Sequence, residues 1–285
     1  MRVAVLARVW GSRMGGPNGM AIAAGLLTET LEALGHDVRR AADPGVFEAD
    51  LTITTVAAHW RRHAKRAQEL GATSRLCYWH HAGGLPQGFD AILAAPPAIA
   101  PEAGWSRHVV LPPSSWAAEE GGERVGQEIV VAGAGPAKGG HIALQVARAM
   151  PNTRWLVLRS RSSEHDRAGW RSLPSAHVAD DIIEPATLLG RARLILSPTR
   201  FEVHPLLLVE AAVRGIPIVC SDLPSTREAA GPSAFYVPMN APAEAWAVAV
   251  HQALSCSPPK RRLPPYRDVV ASALEQIVSP VRAAA

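Results

Sequence analysis

Cysteine is scarce in this sequence, and the three present do not suit a crosslink. Cys77, Cys220 and Cys256 are an odd number at wide spacing. That fits neither a disulfide framework nor a metal-binding pair, and it points to a reducing compartment. Long apolar runs are missing as well. The opening run Val3 to Ala7 is too short for a signal-peptide core and is followed by Arg8, and no uninterrupted apolar stretch approaches ~18 residues. The expectation is a cytoplasmic protein with no transmembrane segment. Nor is there a large excess of one charge. The 29 basic against 25 acidic side chains leave a net charge of +4, a mild surplus that suits anionic substrates, acidic lipid surfaces or nucleic acid without choosing among them. No short internal repeat is visible.

What is present is a globular composition. Of 285 residues 48% are hydrophobic, enough for two modest cores or one large one, which argues against a disordered or fibrous chain. The 23 glycines and 24 prolines mark many loops. The N-terminal part reads as strand Val3 to Ala7, a glycine loop at Gly15-Gly16-Pro17-Asn18-Gly19, and a helix over Met20 to Leu34 ended by Gly35. Short strands are expected at Asp37 to Arg40, Leu51 to Thr55, Arg75 to Tyr78, Ala91 to Leu93 and Val109 to Leu111, with a helix from His59 to Leu70. Between Pro112 and Gly126 the pattern lapses into turn residues, as a connector does.

After the connector the alternation restarts. Strands are expected at Glu128 to Ala132, Trp155 to Leu158, Leu194 to Ser197 and Ile216 to Cys220. Helices are expected at His141 to Met150, Ala186 to Arg191 and Leu206 to Val213, then Glu244 to Leu254 and Val269 to Val278. Alternation of this kind implies parallel sheets. The fold class is therefore α/β, with domains at 1–118 and 119–285, and two such domains imply a cleft between the carboxyl ends of their sheets.

The stretch Ser197 to Asp222 carries the most chemistry. Glu202 lies in the loop at a strand's end, and Glu210 projects from the helix about one turn in. Pro205 suits the start of that helix, and the free amides that follow, at Leu206 and Leu207, can point at an anion such as a diphosphate. A carboxylate at Glu210 has only acceptor oxygens, which matches paired ribose hydroxyls. The plainer alternative is a surface carboxylate and a solvated helix carboxylate. The basic run Arg61-Arg62-His63-Ala64-Lys65-Arg66 reads first as a solvated helix face.

This segment resembles the donor-site signature of the retaining GT-B glycosyltransferases: Glu202, Glu210, Gly215, Pro217 and Ser221-Asp222 stand in the family's order. The resemblance implies two Rossmann-like doubly wound domains facing across a cleft. It places Glu202 near the transferred sugar and Glu210 near the ribose. The commoner family version has Phe-Gly where this chain has His204-Pro205. Lys138-Gly139 is similar to the family's phosphate-binding Lys-Gly, and a Lys ammonium suits a phosphate as a point charge. The companion Arg expected about five residues earlier is Gly133 here, which leaves Arg200 or Arg13 as substitutes. Gly15-Gly16 resembles the first glycine loop, and His80-His81 falls where the family often has a cleft histidine touching the sugar.

The function implied is transfer of a hexose from a nucleotide diphosphate sugar, UDP- or GDP-linked, to an acceptor hydroxyl with retention. Catalytic candidates are Glu202, His80 and His81. Donor-binding candidates are Gly15, Gly16, Lys138, His204, Leu206, Leu207 and Glu210. No metal and no further cofactor is required. The acceptor, whether glycan, lipid, small molecule or DNA, stays open. Alternatives are the same chemistry on a modified DNA base and a non-catalytic nucleotide-sugar-binding protein.

Overall fold

A computed structural model of the chain describes residues 1–6, 19–41, 50–54, 74–79, 91–94, 108–112, 114–120, 126–159, 162–179 and 184–283. The helix expected at 59–70 lies outside them. The chain divides into two compact units, Met1–Glu119 with Leu263–Ala285, and Glu120–Arg262.

The first unit is built on β1 (Arg2–Leu6), β2 (Asp37–Ala41), β3 (Leu51–Thr54), β4 (Ser74–Trp79), β5 (Ala91–Ala94) and β6 (His108–Val110). They pair in the order β2-β1-β3-β4-β5-β6, every pair parallel. Consecutive residues Val3, Ala4 and Val5 are all buried, as expected of a parallel strand covered on both faces. The helix Gly19–Ala33 lays Leu26, Leu27 and Leu31 into the same core.

One element crosses the expected domain boundary. The expected second domain runs from residue 119 to 285, whereas the last helix, Tyr266–Ala283, puts Tyr266, Val270, Ala273 and Leu274 into the core of the first unit. The short helix Trp116–Glu120, inside the stretch read as a connector, helps to anchor it. Glu119 accepts from the Tyr266 amide at 3.0 Å and from Ser114 Oγ at 3.0 Å. Its carboxylate thereby satisfies an otherwise orphaned first-turn donor of the last helix.

The second unit contains β7 (Glu128–Val131), β8 (Trp155–Leu158), β9 (Ala176–Ala179), β10 (Ala192–Ser197), β11 (Ile218–Ser221) and β12 (Phe235–Val237). Their order is β12-β11-β10-β7-β8-β9, all parallel. Counted within the unit and from the far edge this is 3-2-1-4-5-6, the Rossmann order, whose chain reversal falls between β7 and β10. Ligands of such sheets bind at the carboxyl ends of the two strands flanking that reversal. The core is filled by Trp155, Trp170 and Trp246 with the aliphatic residues of the central strands. Among the described residues no helix is long and apolar enough to cross a membrane.

Candidate donor site at the strand reversal

The loop leaving β7 is shaped by two close backbone approaches. Pro136–Lys138 forms one turn of 3-10 helix, and Gly139 follows at φ 68. A Cβ on Gly139 would sit 1.9 Å from the Pro198 carbonyl oxygen, and one on Gly140 would sit 1.9 Å from that of Ala134. Only glycine lets the loop bend this way and lie against the loop leaving β10. The two loops are also stitched together: Arg200 N donates to Ala137 O at 3.1 Å, and Thr199 Oγ1 donates to the same carbonyl at 3.2 Å. Across that seam Lys138 Nζ donates to Glu202 Oε1 as a salt bridge, the two side chains being 22% and 16% exposed.

Glu202 is positioned through its backbone. Ser225 Oγ donates to Glu202 O at 2.7 Å, Ser221 Oγ donates to Thr199 O at 2.6 Å, and Thr226 Oγ1 donates to Ser221 O at 2.5 Å. Ser221, Thr199 and Thr226 are buried. The Ser225 and Ser221 hydroxyls satisfy carbonyls of the irregular loop after β10, and Thr226 caps the end of β11. Asp222, next to Ser221, instead pairs with Arg227, whose Nη2 lies 2.8 Å from Asp222 Oδ2.

The helix Leu206–Val213 follows, with Pro205 as its N-cap. The amides of Leu206 and Leu207 fall in its first turn and find no acceptor among the described residues. Glu210, one turn along, is buried with only 4% of its surface exposed. His204, just before the helix, is largely buried, and burial with the nearby charge of Arg261 pushes its pKa down to about 4. The imidazole is therefore neutral at physiological pH, with one donor and one acceptor nitrogen. Its Nδ1 is buried and has no partner among the described residues.

Residues 126–256 match the family described as glycosyl transferases group 1, a span running from the first strand of the second unit through its last helix. That span, rather under half of the chain, is similar to the group 1 glycosyl transferases. Solved structures extend the likeness of fold to the whole chain. Sucrose-phosphate synthase from Thermosynechococcus elongatus is 15% identical with 100% of both chains covered and a TM-score of 0.70. The Anabaena protein HepE, solved with UDP-glucose, is 13% identical over 99% of this chain and 97% of that one, with a TM-score of 0.69. A glycosyltransferase from Rickettsia africae is 11% identical over 98% and 93%, with a TM-score of 0.67. At such identities the likeness speaks to fold, which is the GT-B fold. A search of curated protein sequences finds no match.

Of the residues singled out in the sequence, Lys138 and Glu202 are in direct contact, and His204, Leu206, Leu207 and Glu210 lie in the loop and helix that follow Glu202. Gly15, Gly16, His80 and His81 lie outside the described residues, as does Arg13. Arg200 is exposed in the β10 loop. Sequence reasoning passed over Thr199, Ser221 and Ser225 as holders of that loop. Their signal was present, since small hydroxyl residues stood at the ends of two expected strands. Among the described residues no group of three or more His, Cys, Asp or Glu side chains is placed to hold a metal.

Proposed function

We propose that the transferase uses a nucleoside diphosphate hexose, UDP- or GDP-linked, and passes the hexose to an acceptor hydroxyl, with its donor held at the β7/β10 reversal of the second unit. The observation that carries this is the Lys138–Glu202 salt bridge, set across the two loops that flank the reversal. A cation kept beside a carboxylate is not left as an unpaired, half-buried charge before the donor arrives. On arrival the diphosphate takes Lys138, and Glu202 is released toward the hydroxyls of the sugar. The Leu206 and Leu207 amides, at the positive end of the helix, face the same leaving anion. Neutral His204 supplies a neighbouring donor without adding charge. Glu210 accepts from the ribose hydroxyls.

The chemical work assigned to these groups is stabilisation of the leaving diphosphate as the bond to the sugar breaks. Lys138→Ala tests it: nucleoside diphosphate release from the donor is expected to fall by about 100-fold, the scale of losing one charge-stabilising donor, in a protein that stays folded but melts somewhat lower because Glu202 loses its partner. Turnover equal to wild type would remove Lys138 from the phosphate site.

A further inference from the structure

The second unit is electrically lopsided along its strand direction. Toward the carboxyl ends of the strands, where the proposed donor site is, the charges are mixed: Glu164, Asp166, Glu184, Glu202, Asp222 and Glu244 stand among Lys138, Arg159, Arg200 and Arg227. At the opposite, amino end, Arg148, Arg154, Arg193, Lys260 and Arg262 are all exposed. The two carboxylates near that end, Glu128 and Glu228, are partly buried. Glu128 is taken by a bidentate pair with Arg191 at 2.7 and 2.8 Å.

Helix dipoles account for little of this surplus. Basic side chains are favoured in the last turn of a helix, and helices that follow parallel strands end at the amino edge, but of the five cations only Arg148 occupies such a turn. Arg154 precedes β8, Arg193 is the second residue of β10, and Lys260 and Arg262 belong to the segment after the helix Ala243–Leu254. That segment is fixed to the same edge. Arg261 N donates to Ala212 O at 2.9 Å, and Gly215, which leads into β11, lies against Lys260.

Arg154 and Lys260 thus sit at the starts of β8 and β11, three strand spacings apart, or ~14 Å. The helices Gly140–Ala149 and Leu206–Val213, near whose ends Arg148 and Lys260 stand, extend the cationic area beyond the sheet itself. The cations spread over an end-face, into which a small, mainly apolar hollow between Gly215, Ala234, Pro258 and Lys260 opens. The exposed large apolar side chains among the described residues are Phe201, Met239 and Val248, none at this edge, so the face has neither the stacking aromatics of a single-strand nucleic-acid platform nor wedges for insertion into lipid.

We propose that this amino-end face of the second unit docks the enzyme on an anionic phospholipid membrane, by charge alone and without insertion. The donor site, at the other end of the strands, then points away from the lipid. The inference does not rest on the donor-site reading.

Flotation of the whole protein with lipid vesicles tests it. Binding is expected to vesicles of phosphatidylcholine mixed with phosphatidylglycerol, not to phosphatidylcholine alone, and to be released by salt because exposed charges are screened. Each cation near such a surface contributes about fivefold. The triple change Arg148→Gln, Arg154→Gln, Arg193→Gln is therefore expected to weaken binding by about 100-fold, with nucleotide binding and melting temperature unchanged. The pair Lys260→Gln, Arg262→Gln repeats the test should the triple variant fail to fold. The proposal is overturned by a wild-type protein that ignores anionic vesicles, or by folded variants that bind them as wild type does. It is equally overturned by binding to duplex DNA that exceeds vesicle binding at the same salt and is lost in the same variants, which would assign the face to nucleic acid.

Discussion

At the scale of single residues, the donor loops depend on groups whose roles are steric or purely polar. Gly139→Ala would drive a methyl group into the Pro198 carbonyl at a positive φ. The strain alone is worth about 1–3 kcal/mol, and relief requires the Lys138 turn to move, so both the melting temperature and turnover are expected to fall. Ser221→Ala leaves the buried Thr199 carbonyl without its donor, a loss of about 1–3 kcal/mol readable by urea denaturation. His204 gives the pH prediction. Its pKa is about 4 in the folded chain against 6.5 as the ordinary value, so unfolding takes up a proton between those limits. The neutral, buried imidazole therefore contributes fully above pH ~6.5 and loses its contribution as pH falls toward ~4, by roughly 3 kcal/mol in all. Glu228 runs the other way, because burial raises its pKa to about 7 and its contribution fades as pH rises from ~4.5. The difference between wild type and His204→Phe isolates the histidine: the variant is expected to lose less stability between pH 6.5 and 4. Parallel curves for the two proteins would contradict the assignment.

At the scale of elements, the parts that were legible in the sequence are those with local signals. Leu206–Val213 and Trp155–Leu158 are found where the apolar pattern puts them, and the other expected elements that fall on described residues shift by a residue or two, except the last helix, which runs over Tyr266–Ala283 instead of Val269 to Val278. The helix Glu164–Arg171 was missed because it is polar on nearly every face. It is started by the Ser163 capping box, in which Ser163 Oγ accepts from Asp166 N at 3.2 Å and Asp166 accepts from Ser163 N at 2.7 Å, and held by the buried Trp170. Ser163→Ala is expected to cost about 1 kcal/mol by thermal denaturation. Strands β9 and β12 were missed because four and three residues are too few to establish a period. The order of Lys138, Glu202 and Glu210 along the chain is legible in the sequence, but the salt bridge between the first two is not, since spacing in sequence does not reveal which loops meet. The return of the last helix to the first unit was equally hidden, because an amphipathic helix does not name the core it enters. Leu274→Ala is expected to destabilise by about 2–5 kcal/mol, and hydrogen exchange is expected to locate the loss in β1 and β3 rather than in β7 and β10.

For the whole molecule, the two proposals fall at opposite ends of one sheet. The carboxyl ends of β7 and β10 carry a preformed Lys138–Glu202 pair on loops tied by hydroxyls and admitted by two glycines, while the amino ends carry an exposed basic edge. The chain's net charge of +4 thus conceals a polar distribution within the second unit. That division makes the two readings independently testable, since neutralising the edge leaves the donor groups untouched. The central claim is that the β7/β10 reversal binds a nucleoside diphosphate through Lys138 and Glu210. Calorimetric titration of UDP and GDP into wild type, Lys138→Ala and Glu210→Ala tests it most directly. One of the two nucleotides is predicted to bind wild type and to bind each variant at least about tenfold more weakly, the scale of one charge-assisted hydrogen bond. Unchanged affinity in both folded variants, or no binding of either nucleotide to wild type, would contradict the account.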